Sequence, residues 1–449
     1  MFVKFSELNL NNPLLNALGD LGYTDATTIQ ARAFAPVMSG KDVVGIAQTG
    51  TGKTFAYLLP CLREWKFSKE KEPRILVLVP TRELVVQVLE EIKKLSKYMS
   101  VTAVGLYGGS NINPQIEELM KGTDIIVATP GRLIDMQLKG VLKAKTIKKL
   151  VIDEVDEMLS LGFRSQLSLI LDLLPIKRQN IMFSATLTEE VEALIHQYFN
   201  QPAKIEAAPA GSPLANILQS AYEVPNFYTK VNLLKLLLQD AAMSKVLVFT
   251  ATKKLADAVF EEVQPAFVGQ VGIIHSNKSQ NHRFEMVRQF HSGGIRVLIA
   301  TDVVARGIDI SEVSHVINFD IPEQPESYIH RIGRTGRADK KGIAITFITP
   351  VQTEAREAIE ALMNYKIPVE QLPEALEISE ELTYDERPEV YQPNMDLKMG
   401  RKGPSGGAFH EKSEKNSKTP GPKITRAAKL RAKYGKPKTK GGNKPKRKR

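Results

Sequence analysis

The chain has one cysteine, one tryptophan and no run of 18 uninterrupted apolar residues. A lone cysteine can close no internal disulfide and build no metal site with other cysteines. Cys61, beside Leu58, Leu59 and Leu62, reads as a small core residue. That usage fits a reducing compartment, so a cytoplasmic location is expected, or a nuclear one if the source is eukaryotic. Without a long apolar run no membrane helix is expected, and Met1–Leu10 lacks the basic-then-apolar layout of a secretion signal. The seven histidines show no metal-ligand spacing, and His275 and His282 read as ordinary exposed or hydrogen-bonded residues.

Charge, in contrast, is plentiful and unevenly placed. Residues 401–449 hold 18 Lys and Arg against Glu411 and Glu414, a net of +16, which leaves −5 for residues 1–400 of the total +11. The asymmetry points to a polyanion-binding appendage on a near-neutral body.

Short, β-branched apolar runs alternate with helical patterns through most of the body. Strands are expected at Asp42–Gly45, Ile75–Val79, Asp124–Ala128, Leu150–Ile152 and Asn180–Phe183. A second series falls at Val246–Phe249, Gly272–Ile274, Val297–Ala300, His315–Asn318 and Ala344–Ile348. Runs this apolar suit strands covered on both faces, with helices as right-handed crossovers. The fold class is therefore α/β, with two parallel-sheet domains in tandem. The expected order is a first domain (1–206), an Ala/Gly/Ser/Pro hinge (207–216), a second domain (217–368), an acidic solvated linker (369–395) and a disordered basic tail (396–449).

Ala47-Gln48-Thr49-Gly50-Thr51-Gly52-Lys53-Thr54 follows the first of these strands and opens a helix. Glycines let backbone N–H groups approach phosphate oxygens, and the helix N-terminus adds positive potential. Lys53 is placed to reach the β and γ phosphates and the Thr54 hydroxyl to sit on Mg²⁺. The strict pattern has Gly where this chain has Ala47. About 100 residues later, Val151-Ile152-Asp153-Glu154-Val155-Asp156 runs an apolar strand into carboxylates, at the edge where open α/β sheets bind ligands. Asp153 suits a water-mediated Mg²⁺ contact, and Glu154 suits the base for an attacking water.

From about Phe5 to Arg337 the chain resembles the DEAD-box RNA helicases of superfamily 2, with the motifs in family order. Their size and tail resemble the compact bacterial, RhlE-like members. The resemblance implies two RecA-like domains, ATP with Mg²⁺ as the cofactor pair, and RNA-stimulated ATP hydrolysis coupled to local duplex unwinding. Phe5 would pack on the adenine, and Gln30 would read its edge, an amide offering one donor and one acceptor. The loop reads Ala26-Thr27-Thr28-Ile29-Gln30, without the family's two prolines. Pro80-Thr81-Arg82-Glu83-Leu84, Gly108-Gly109 and Thr129-Pro130-Gly131-Arg132 resemble first-domain RNA elements. Hydroxyls, guanidinium groups and bare N–H groups suit a sugar-phosphate backbone, so sequence-independent binding through Thr81, Arg82, Gly109, Thr129 and Arg132 is implied. Ser184-Ala185-Thr186 resembles the segment that couples ATP state to domain closure, next to Asp156. Val155 replaces the alanine of the family's namesake motif; a packing change is expected, with some effect on how Asp156 meets Ser184.

In the second half, His330-Arg331-Ile332-Gly333-Arg334-Thr335-Gly336-Arg337 resembles the family's arginine-finger motif. Arg334 and Arg337 would grip the γ-phosphate, and His330 would take part in coupling. Arginine fingers contribute roughly 10³–10⁵ in rate where measured. Thr301 and Thr250 resemble RNA contacts, Asp309 a ribose contact, and Gln280 with Arg283 an RNA-touching Gln-x-x-Arg element. A preference for RNA over DNA would come from contacts to 2′-hydroxyls. Two other readings stay open: an ATP-dependent RNA clamp or chaperone with little unwinding, and a DNA-directed motor. The tail, Lys412 to Arg449, reads as a tether to structured RNA, a solubilising segment or a nuclear address. If it neutralises about six phosphates, affinity falls with log salt at a slope near −4 on single strands. The core itself is expected to be monomeric.

Overall fold

The computed structural model describes residues 3–47, 51–70, 72–206, 216–302, 310, 313–336 and 341–386. A short antiparallel pair, β1 (Val3–Lys4) with β2 (Asp25–Ala26), precedes two parallel seven-stranded sheets. The first sheet is built from β3 (Val43–Ile46), β4 (Ile75–Leu78), β5 (Ala103–Leu106), β6 (Ile125–Ala128), β7 (Lys149–Ile152), β8 (Gln179–Ser184) and β9 (Ala203–Glu206), in the order β5-β6-β4-β7-β8-β3-β9. The second holds β10 (Ile217–Glu223), β11 (Val246–Thr250), β12 (Val271–Ile274), β13 (Val297–Thr301), β14 (His315–Asn318), β15 (Gly342–Ile348) and β16 (Val369–Glu370), in the order β12-β13-β11-β14-β15-β10-β16. Each of the ten strands expected from the sequence appears within two residues of its place. Four further short or flanking strands, β5, β9, β10 and β16, complete the two sheets, besides the pair β1–β2.

Each lobe has apolar cores on both faces of its sheet, which is why its strands read as continuous apolar runs. Gly45 in β3 is required by that packing: a Cβ there would lie 2.4 Å from the ring of Phe183 in β8. Cys61 is buried, as a core residue should be, and burial pushes its thiol up to about 11. Val155 is fully buried in the core on one face of the first sheet, so its two extra methyl groups are absorbed by packing. Among the described residues no helix is long and apolar enough to cross a membrane.

The expected hinge lies outside the described residues except for Asn216, and so does everything from 387 onward, including the tail. The start of the expected solvated linker differs from that reading. Val369–Glu370 adds a strand to the second sheet, and Leu372 and Leu376 pack on its core. Most acidic residues of this run face water, while Leu372 and Leu376 hold it down.

Candidate active site

The phosphate-binding turn joins β3 to the helix Lys53–Arg63. Gly52 caps that helix with φ 88°, a left-handed conformation that favours glycine, and a Cβ there would meet the Gln30 amide at 2.3 Å. Gln30 is buried and does two jobs: its Oε1 accepts from Thr27 N (2.9 Å) and its Nε2 donates to Gly52 O (3.1 Å). The loop expected to read adenine is thus tied to the turn expected to hold phosphate. Phe5 is buried in the same core, its N–H donating to Thr24 O. Ala47 N donates to Ser184 O at 3.0 Å, joining the turn to the coupling segment. Thr51 and Thr54 flank Gly52 and Lys53, while Gln48, Thr49 and Gly50 lie outside the described residues.

Lys53 is buried, and its Nζ has no hydrogen-bond partner among the described residues. An orphaned buried ammonium is costly unless an anion joins it. Facing it are Asp153 and Glu154, at the end of β7. Glu154 sits at φ 52°, ψ 50°, a left-handed conformation costing about 1–2 kcal/mol for a non-glycine residue. The turn breaks the strand and starts the helix Val155–Ser160. Burial raises both carboxyl groups. Against the opposing pull of Lys53, and with Asp153 adding to the rise, Glu154 is pushed up to about 7. A buried carboxylate pair facing a lone ammonium fits a cation bridged to phosphate, the donor set that Mg²⁺ prefers.

Asp156 grips the coupling segment. Its Oδ2 accepts from Ala185 N (3.0 Å), Thr186 N (2.9 Å) and Thr186 Oγ1 (3.0 Å), while Ser184 Oγ donates to Thr186 O (2.6 Å). The partner of Asp156 is therefore Thr186, not Ser184. From the second lobe, His330 Nε2 lies 3.6 Å from Asp156 Oδ2 and its Nδ1 3.6 Å from Glu157 Oε2. Burial acts to lower His330, but these two carboxylates override it and lift the imidazole to about 9. Burial likewise acts to raise Asp156, yet His330, Lys53 and the Thr186 N–H hold it well below the usual carboxylate range. Arg334, buried, completes a crevice with Lys53, Glu154, Asp156, Glu157, Ala185 and His330. Its free volume of about 10 Å³ is close to the room a single water needs. Arg337 and Asp309 lie outside the described residues.

The residues expected to meet RNA divide into two groups. Thr81 and Thr129 are the N-caps of helices following β4 and β6, and Thr250 and Thr301 end β11 and β13, all at carboxyl-terminal strand edges. Arg82 lies against Gly109, which has φ 76° and no room for a Cβ. Arg132 and Arg283 are instead held by protein. Arg132 donates to Gln115 Oε1 (3.0 Å) and Ser110 O (2.9 Å). Arg283 pairs across the lobes with Glu83 at 2.9 Å, and Gln280 donates to the same oxygen at 3.0 Å. His275 and His282 are both hydrogen-bonded, to Asp257 and to Ile273 O.

Sequence reasoning missed four parts of this site. Tyr57 lies one helical turn after Lys53, buried, with its hydroxyl pushed well up by burial and by Asp153; the i, i+4 spacing was the available signal. Glu157, four residues after Asp153, carried the same spacing. Glu83 lay within a quoted motif but had no visible partner. Arg331, fully buried, forms a two-pronged pair with Asp302 (2.6 and 2.8 Å), donates to Asp320 O (2.6 Å) and lies over the Phe249 ring. It fastens the helix Pro325–Ile332, which carries His330, to the ends of β11, β13 and β14.

Comparison with known proteins agrees with this geometry. Residues 27–194 match the DEAD/DEAH box helicase family, and residues 229–339 match the helicase conserved C-terminal domain. A DEAD-box ATP-dependent RNA helicase CshA from Bacillus cereus is 41% identical over 363 residues, 81% of this chain and 69% of that protein. The chain belongs to the DEAD/DEAH box helicase family. Among solved structures, S. cerevisiae Dbp5 bound to RNA and ADP BeF3 is 29% identical with a TM-score of 0.73, covering 82% of this chain and 95% of that one. A variant S. cerevisiae Dbp5 bound to nup159, gle1, IP6 and ADP gives 27%, 0.57, 82% and 96%.

Proposed function

We propose that this chain is an ATP-dependent RNA helicase whose ATP is hydrolysed between the lobes only when RNA has drawn them together. One observation carries the reading: Lys53, Glu154 and Asp156 of the first lobe and His330 and Arg334 of the second line a single crevice. Neither lobe alone holds the full set, so hydrolysis depends on closure.

Gln30 and Phe5 would hold the adenine, Lys53 and the glycine-rich turn the phosphates, and Asp309 the ribose. Glu154, near neutrality in its pKa, can accept a proton from a water in the crevice. Arg334, with Arg337, would neutralise charge gathering on the transferred phosphoryl group. Asp153 and Thr54 would hold Mg²⁺ through water, and the ion would supply further positive charge to the phosphate oxygens. Asp156, Thr186 and His330 tie that chemistry to lobe position, because the first two share one hydrogen-bond network and the third reaches it from across the cleft.

RNA would run along the carboxyl-terminal edges of both sheets, touched by Thr81, Arg82, Gly109, Thr129, Thr250 and Thr301 through its backbone. Arg132 and Arg283 shape that surface, one by holding Ser110 and the other by latching Glu83. A backbone track spanning two lobes favours bent single strands and so separates short duplexes. The basic tail adds affinity for structured RNA, and the core acts as a cytoplasmic monomer. A strand-displacement assay on a short RNA duplex tests the proposal. ATP should release the strand and a non-hydrolysable analogue should not sustain turnover, whereas tight binding without release would mark a clamp and equal activation by DNA a different motor.

A further inference from the structure

Residues 369–386 follow the last large helix of the second lobe and do not leave its surface. Val369–Glu370 pairs in parallel with β10, and Leu372 and Leu376 pack on the core beneath. The run then lies along the helix Phe227–Leu237. Asn232 Nδ2 donates to Glu377 O (3.0 Å), Asn226 Nδ2 to Ser379 O (2.6 Å), and Ser379 N to Thr229 Oγ1 (3.0 Å). At its end Glu386 caps the helix: its Oε1 accepts from Phe227 N (2.6 Å), and its Oε2 accepts from Thr383 N (3.0 Å) and Thr383 Oγ1 (2.9 Å). A carboxylate on the first N–H of a helix is favoured by charge and by hydrogen bonding. Asp385 pairs with Lys254 at 3.1 Å, four residues beyond Thr250.

The position of that last anchor matters. Phe227 opens the helix after the carboxyl end of β10, and Lys254 lies in the first turn after β11. Both belong to the edge where parallel sheets take their ligands, the edge that carries Thr250 and Thr301. The chain therefore leaves the described structure beside the expected RNA path rather than on the far side of the lobe. Lys398, which with Arg401 and Lys402 opens the basic run, lies twelve positions after Glu386. Twelve residues span at most about 40 Å, so those cations stay within reach of the RNA the lobe holds.

We propose that 369–386 is a strap, folded as part of the second lobe, that sets the origin of the basic tail at the RNA-facing edge, so that the tail grips the flank of the same RNA molecule the core is holding. The inference rests on the reading of the tail as an RNA tether. In this arrangement tail and core act as two linked sites, and the gain from linkage depends on the length of free chain between them. Freeing the strap lengthens that chain from 12 to 28 residues, which at the −3/2 power of length lowers the tail's contribution by about three- to fourfold.

The test measures binding of a fluorescent RNA with a duplex flank to four full-length-based proteins. These are the wild type, the chain ended after Glu386, the strap-released variant Leu372→Ser/Leu376→Ser/Glu386→Ala with its tail, and the same variant ended after residue 386. The strap accounts for the geometry if tail removal weakens binding, strap release weakens it by about three- to fourfold with the tail present, and strap release has no effect without the tail. If tail removal changes nothing, the tether reading itself falls. If tail removal weakens binding but strap release does not, the tether stands and the strap inference is overturned. Should the strap-released protein fail to fold, a 30-residue Gly-Ser spacer inserted after Glu386 leaves the strap intact. It should lower the tail's contribution by about sixfold, and an unchanged affinity would overturn the proposal.

Discussion

Replacing His330 by glutamine removes a charge and keeps a hydrogen-bonding side chain, and the size of the effect follows from its surroundings. Both carboxylates that lift His330 to about 9 belong to the other lobe. The rise from the ordinary 6.5 is worth about 3 kcal/mol, and it stabilises closure specifically, since the open imidazole loses these partners. Because the closed-state value is raised, the stabilisation is complete below about pH 6.5 and is lost as pH climbs through about 9. At pH 7.5 protonation favours closure by about thirtyfold, and at pH 8.5 by about fourfold. The assay is RNA-stimulated ATP hydrolysis, titrated with RNA at each pH from 6.5 to 9.5. For the wild type the half-maximal RNA concentration should rise about sevenfold between pH 7.5 and 8.5. His330→Gln should need more RNA throughout and show a flat profile. Parallel profiles for the two proteins would refute the argument.

Two further substitutions probe separate parts of the account. Arg283→Ala leaves buried Glu83 with Gln280 and the more distant Arg82 (3.8 Å), and breaking a buried pair costs about 3 kcal/mol or more. The half-maximal RNA concentration should rise about a hundredfold with nucleotide binding unchanged, and Glu83→Gln in the same protein should recover part of it; an equal loss of nucleotide binding would count against an inter-lobe latch. Val155→Ala removes two methyl groups from a sealed core at a cost of about 2 kcal/mol, so Tm should fall by about 4–8 °C. Its kcat should stay within about twofold; a larger change would give the valine a role in the chemistry.

Much of the fold was readable because its strands are covered on both faces, which leaves continuous apolar runs with sharp ends. Where that condition weakens, the signal does too. Ala103–Leu106 contains Ala and Gly, poor strand formers on their own. Gly105 is there because the side chains of Leu89 and Val85 occupy the space a Cβ would take. β16 has two exposed residues in an acidic stretch, and only its pairing with β10 reveals it. The phosphate-binding turn and the Asp153–Asp156 cluster are local patterns, so their residues could be named and their neighbours anticipated. The Glu83–Arg283 pair joins positions 200 residues apart, and no local pattern encodes it. The same distance effect hid what Arg132 and Arg331 hold. A guanidinium in a motif reads as ready for phosphate until the acceptors around it are seen.

The central claim is that ATP is split at a catalyst assembled from both lobes when RNA is bound, with Glu154 as its base. ATP hydrolysis measured with and without single-stranded RNA, on the wild type and on Glu154→Gln, tests it most directly. The account predicts strong stimulation by RNA in the wild type and its loss by about 10²–10⁴-fold in the variant, with ATP binding retained. Hydrolysis that is indifferent to RNA, or that survives in Glu154→Gln, would contradict it.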